Sequence, residues 1–230
     1  MSPAKPVAPP SRAQCICSTM GFEHPAWDAQ YYPGNCPEEW RLAYFMNDLR
    51  ALYLPKNTWN ESEAQLDTIA DELDEGFELV IEWPSPGDGQ DIEATLSKLA
   101  PLKQNIACVV VDVDGVSEPV LEAAYQAIAR DYAINFRSSM LDADAQESLA
   151  RQHEVGFVWH PGQLETPVIA VQYQVVCLPC QSLRDMKSVL TRLRPFLLQE
   201  ARAGLFFEPA AQSVFRALET RTLIELMGLA

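Results

Sequence analysis

Asp112 and Asp114, in the stretch VVVDVDGVS (109–117), stand one residue apart at the end of an apolar run. If the run is a strand, alternation puts both carboxylates on one side of it. Carboxylates so placed can hold Mg²⁺, and one of them can attack a phosphoryl group. Cys177-Leu-Pro-Cys180 has the spacing of a redox dithiol or of half a zinc site, and Cys15-Ile-Cys17 offers two more thiols. A C-x-C on one strand rarely chelates, and Cys108 sits in an apolar run where packing explains it. The structural reading of the cysteines is therefore preferred, and no metal ligand set is assigned.

These groups must be held by something, and the chain alternates. Short apolar runs at 15–20, 51–55, 77–83, 105–113, 132–138, 155–160, 166–176 and 203–209 read as strands. Amphipathic segments at 37–49, 61–76, 91–102, 117–131, 142–153, 182–201 and 210–228 read as helices. Asp91, Ser117 and Asp142 stand at N-cap positions, and Pro195 lies within a long helix. Only a short polar link follows strand six. Regular alternation calls for parallel strands joined by right-handed crossovers. Eight units favour a closed (β/α)₈ TIM-type barrel in one domain over 15–230, with an open doubly wound parallel sheet as the alternative. Residues 1–14, rich in proline, read as a disordered tail without the apolar core of a secretory signal.

Composition narrows the function. The 230 residues are 48% hydrophobic and carry a net charge of −15. That charge repels a phosphate backbone, so no nucleic-acid partner is expected. No apolar run reaches the length of a membrane span. A soluble, cytoplasmic protein is expected; its protein partners, its oligomeric state and any cofactor are unspecified by the residues.

The Asp-Val-Asp-Gly sequence resembles the motif of haloacid-dehalogenase phosphatases, but its surroundings depart from them. Three strand–helix units precede it, the only later lysine, Lys187, lies mid-helix, and no acidic pair follows a later strand. A broader resemblance is to the YecE-like family, domain-of-unknown-function family 72. Gly21-Phe22, Pro25, Trp27 and Tyr31-Tyr32-Pro33 fall where that family has its opening turn and aromatic-Tyr-Pro triplet. The segments 73–84, 134–159 and 204–209 are similar to its later strands, and the last helix also fits. The resemblance implies a TIM-type barrel and supplies no established reaction. The chain departs from the family at polar positions. YLPKNTW (53–59) lacks the Glu of Glu-x-Asn, Glu82 stands for a Lys, Asn135 for the Glu before Phe-Arg, and Glu208-Pro209 for an Asn pair.

In a barrel the site lies at the C-terminal ends of the strands. The candidates there for catalysis are Asp112, Asp114 and His160. The ligand-binding candidates are Trp27, Lys56, Glu82, Arg137 and Glu208, with Trp59 and Trp83 as further stacking surfaces. Arg137 can grip a carboxylate or phosphate, or be the ion-pair partner of Glu82 or Asp112. His24 and His153 read as surface residues. The resulting expectation is a divergent barrel of unknown reaction that binds a small anionic or sugar-like ligand. The alternative is a metal-assisted hydrolase or phosphatase built on the acidic cluster.

Overall fold

The computed structural model describes residues 15–59, 63–85, 91–162, 172–180, 183–197 and 201–230. Its strands are β1 (Cys15–Thr19), β2 (Ala51–Leu54), β3 (Glu78–Glu82), β4 (Ile106–Asp112), β5 (Ala133–Arg137), β6 (Gly156–Phe157), β7 (Tyr173–Leu178) and β8 (Arg202–Phe207). The helices are α1 (Arg41–Asp48), α2 (Lys56–Trp59), α3 (Glu63–Glu72), α4 (Ile92–Lys98), α5 (Glu118–Ile128), α6 (Ala143–His153), α7 (Leu183–Leu197) and α8 (Ser213–Leu226). Every ladder is parallel, in the orders β2-β3-β4-β5-β6 and β7-β8-β1. Single bridges Met20–Tyr53 and Trp159–Val176 join the two ladders, so the ring closes. The open-sheet alternative is thereby excluded; the protein is a single α/β barrel domain. The proline-rich segment 1–14 and the first part of the seventh expected strand lie outside the described residues. No helix among the described residues is long and apolar enough to cross a membrane.

Strand parity builds two apolar layers. Tyr53, Val80, Val110, Val175 and Phe206 point into the barrel and pack together. Leu52, Ile81, Val109, Phe136, Val176 and Leu205 point outward, under the helices. Burial on both faces is why the strands read as nearly unbroken apolar runs. Asp91 and Asp142 cap α4 and α6 through their carboxylates, whereas Ser117 occupies the N-cap of α5 without a side-chain bond. His153, expected at the surface, is 4% exposed. Its ring packs against Tyr125 and Phe136, with Glu122 at 3.4 Å. The large apolar contact with two aromatic rings draws the end of α6 inward.

The sixth strand is the weak segment of the ring, and two buried amides compensate for it. Asn135, inside the barrel on β5, donates from Nδ2 to the Tyr173 carbonyl at 2.8 Å and accepts from the Val175 N–H at 3.1 Å. Gln174 donates to the Phe157 carbonyl at 2.6 Å and lies 3.4 Å from Asn135 Oδ1. Side chains thus do for β5 and β7 what a longer β6 ladder would do with backbone. At the N-terminal end of the barrel, Arg202 pairs with buried Glu78 and stacks over the Tyr173 ring. Gly204 leaves room for that stack, because a Cβ there would lie 2.6 Å from the Phe206 ring and collide with the Tyr173 hydroxyl. Gly204→Ala is expected to cost about 1–3 kcal/mol by overpacking. Tyr173→Phe is expected to be near neutral alone, since its buried hydroxyl has no hydrogen-bond partner among the described residues, and to recover part of the Gly204→Ala loss. Urea denaturation of the two single variants and the double variant checks both statements.

Candidate functional site

Continuing each strand's parity past its C-terminal end brings Glu82, Asp112, Arg137, His160 and Glu208 to one face of the barrel. There the register decides which of them meet. Asp112 lies opposite Arg137 in the β4–β5 ladder. Arg137 Nη2 is 2.6 Å from Glu82 Oε1 and 3.0 Å from Asp112 Oδ2, and its Nη1 is 3.5 Å from the Tyr53 hydroxyl. The backbone N–H of Lys56 donates to the other Glu82 oxygen at 3.2 Å. Glu82 is 11% exposed in its side chain and Arg137 27%, so the pairs are largely shielded from water. Burial alone would lower the guanidinium pKa; the neighbouring Tyr53, Glu82 and Asp112 more than offset it. Arg137 is therefore a cation already held by two carboxylates.

Asp114 takes no part in this layer. The β4 strand stops at Asp112, and Gly115 turns the chain with φ +73°. Asp114 accepts from the Ser138 hydroxyl, from the Ser139 N–H at 2.8 Å and from the Ser139 hydroxyl at 2.7 Å. Partial burial would raise its pKa, but these bonds together hold it below the usual carboxylate range. The expectation that both aspartates face one site is corrected: strand alternation ends before Asp114, which instead fastens the loop after β5.

The expected stacking surfaces are also corrected. Trp27 is 0% exposed, and its Nε1 donates to the Ala210 carbonyl at 3.1 Å. Trp59 is buried and donates to the Glu82 carbonyl at 3.0 Å, 6.5 Å from the ring of buried Trp83. Each indole fills the packing beneath a βα loop, where its apolar area is worth more than on the surface. Lys56 contributes its backbone rather than its charge, since its exposed ammonium points to the Ser85 hydroxyl at 3.5 Å.

The remaining groups stand on the opposite arc. In the bridge that joins β6 to β7, Trp159 pairs with Val176, which sets His160 beside Cys177, both inward. His160 is half-buried, and its pKa is lowered chiefly by that burial, with Glu208 opposing and Arg137 assisting. Glu208 is exposed and continues β8 through its N–H to the Leu178 carbonyl. Cys177 is 2% exposed inside the barrel, where burial pushes its thiol well up, and Cys180 is exposed beyond the strand. A thiol so desolvated is a packing group rather than a nucleophile. Among the described residues, no three His, Cys, Asp or Glu side chains are grouped to hold a metal ion. Tyr53 is the residue of this layer that motif spacing missed, and parity along β2 is the signal that finds it; Asn135 and Gln174 lie deeper, where they tie β5 to β7.

A cavity of about 660 Å³ lies away from this face, between the ends of α5 and α6, and includes Tyr125, Tyr132 and Gln172. Three of its charged lining residues are engaged at the surface, Arg130 with Glu93, Asp131 with Lys103 and Arg151 with Glu147. The convergent polar groups therefore mark the barrel mouth, not this cavity, as the candidate site.

In sequence, the chain matches no family model and no curated protein. In structure it is similar to a DUF72 family protein from Enterococcus faecalis V583, with a TM-score of 0.67 at 11% identity over 95% of this chain and 99% of that one. It is also similar to the OMP decarboxylase of Leishmania donovani, with a TM-score of 0.53 at 15% identity over 95% of each chain. SacUVDE gives a TM-score of 0.52 at 7% identity over 95% of this chain and all of that one. At such identities the likeness establishes the shared barrel fold.

Proposed function

We propose that the chain is a divergent DUF72-type barrel whose mouth binds a small, uncharged, polyhydroxylated ligand of the sugar or polyol kind. The observation that carries this is the capture of Arg137 by Glu82 and Asp112. An anionic ligand needs a free cation, and here the guanidinium is matched by two carboxylates, with Glu208 adding a further negative charge at the rim. Carboxylates and a neutral imidazole are hydrogen-bond acceptors, which suits hydroxyl donors. The departures from the family pattern at polar positions support binding over catalysis. Glu82 is spent on an ion pair and Asn135 on stitching the barrel wall. The six free cysteines and the negative charge favour a reducing, cytoplasmic setting without nucleic acid.

Thermal-shift measurements test the reading. D-ribose, D-glucose or myo-inositol is expected to raise the melting temperature of the wild type, and inorganic phosphate to leave it unchanged. In the Glu82→Gln/Asp112→Asn double variant Arg137 is released, and phosphate is expected to stabilise. Phosphate stabilising the wild type while all three polyols fail would overturn the proposal.

A further inference from the structure

The mouth has two unlike halves. On the arc from β2 to β5, Tyr53, Glu82, Asp112 and Arg137 are tied to one another. On the arc from β6 to β8, the imidazole of His160 and the carboxylate of Glu208 make no hydrogen bond or ion pair among the described residues, although both belong to inward-facing positions. They follow the two strands that flank β7: His160 comes level with Cys177, Glu208 lies two positions beyond Phe206, the partner of Cys177 on β8, and Glu208 is the first charge to act on the imidazole. A tied arc gives rigidity, and an untied arc gives hydrogen-bonding capacity.

We infer that His160 and Glu208 are the ligand-gripping pair of the mouth, two acceptors for neighbouring hydroxyls, and that the site closes on itself when His160 takes up a proton and pairs with Glu208. The inference rests on the proposed polyol-binding reading and names the residues and the regulation within it. Among the described residues, the groups facing His160 are few. Glu208 on β8 attracts the protonated ring, Arg137 on β5 repels it, and Cys177 on β7 is an uncharged neighbour; Glu82 and Asp112 are spent on Arg137. Burial and Arg137 keep the imidazole neutral through neutral pH, where it accepts a ligand hydroxyl. On acidification the proton and the ligand compete for the same nitrogen, and the imidazolium gains an internal carboxylate partner. Protonation therefore expels ligand, and the change falls below the ordinary histidine range because the ring's pKa is lowered.

The test is calorimetric titration of D-ribose, D-glucose and myo-inositol into the full chain at stepped pH, with His160→Gln and Glu208→Gln beside the wild type. Wild-type affinity is expected to hold at neutral pH and then to fall about tenfold per pH unit, as for uptake of a single proton. His160→Gln, which keeps an acceptor but cannot titrate, is expected to bind more weakly with a flat pH profile. Imidazole NMR supplies a second readout that needs no ligand. Glu208→Gln is expected to move the His160 titration to still lower pH, because it removes the charge that favours the imidazolium. Binding in the wild type that does not vary with pH, both variants binding as tightly as the wild type, or a His160 titration unmoved by Glu208→Gln would overturn the inference while leaving polyol binding intact. No heat from any of the three sugars at any pH would sink the binding reading itself, and the inference with it.

Discussion

Arg137→Ala is expected to destabilise the barrel by about 2–4 kcal/mol, less than a fully buried broken pair because the site is partly exposed. Glu82 and Asp112 converge on Arg137 from two strands, and without it they face each other with no intervening cation. In a domain of this size, a loss of that order lowers the melting temperature by about 4–16 °C. Adding Asp112→Asn to the variant is expected to restore part of the loss at neutral pH, because it removes one of the two facing charges. A single variant as stable as the wild type at neutral pH would mean that the three side chains do not form the layer described.

Asn135→Ala is expected to cost about 3–5 kcal/mol, because it leaves the Val175 N–H and the Tyr173 carbonyl buried and short of partners, at about 1–3 kcal/mol for each such group. Asn135 itself is 0% exposed, so water cannot take its place without entering the barrel. Asn135→Asp is expected to be worse, since it removes the donor to Tyr173 and buries a charge. The loss should be local before it is global. Hydrogen exchange is expected to accelerate first in β6 and β7, whose closure depends on the amide, and much less in β2 to β4. Gln174→Ala should be milder, and the double variant less than additive, because the two amides share one network. Uniform acceleration around the ring would show that the barrel opens elsewhere.

Much of this protein follows from local sequence. The apolar runs, the capping aspartates Asp91 and Asp142, and the repeated strand–helix rhythm specify eight parallel strands, because strand and helix periods are set by the nearest residues. Parity then projects Glu82, Asp112, Arg137, His160 and Glu208 toward one end. What parity cannot supply is pairing. Arg137 meets Glu82 across 55 residues and Asn135 meets Gln174 across 39, separations in sequence that only the assembled sheet brings to contact. Parity also fails where a strand stops. Asp114 sits one turn beyond β4, and the loop after β5 supplies the donors that claim it. Trp27, Trp59 and Trp83 have the composition of a stacking surface, but their burial is decided by loop packing. Sequence thus determined the barrel and its ring of polar ends. Tertiary structure decided which of those ends are tied together and which stand free, because electrostatic partners are chosen by distance in space rather than along the chain.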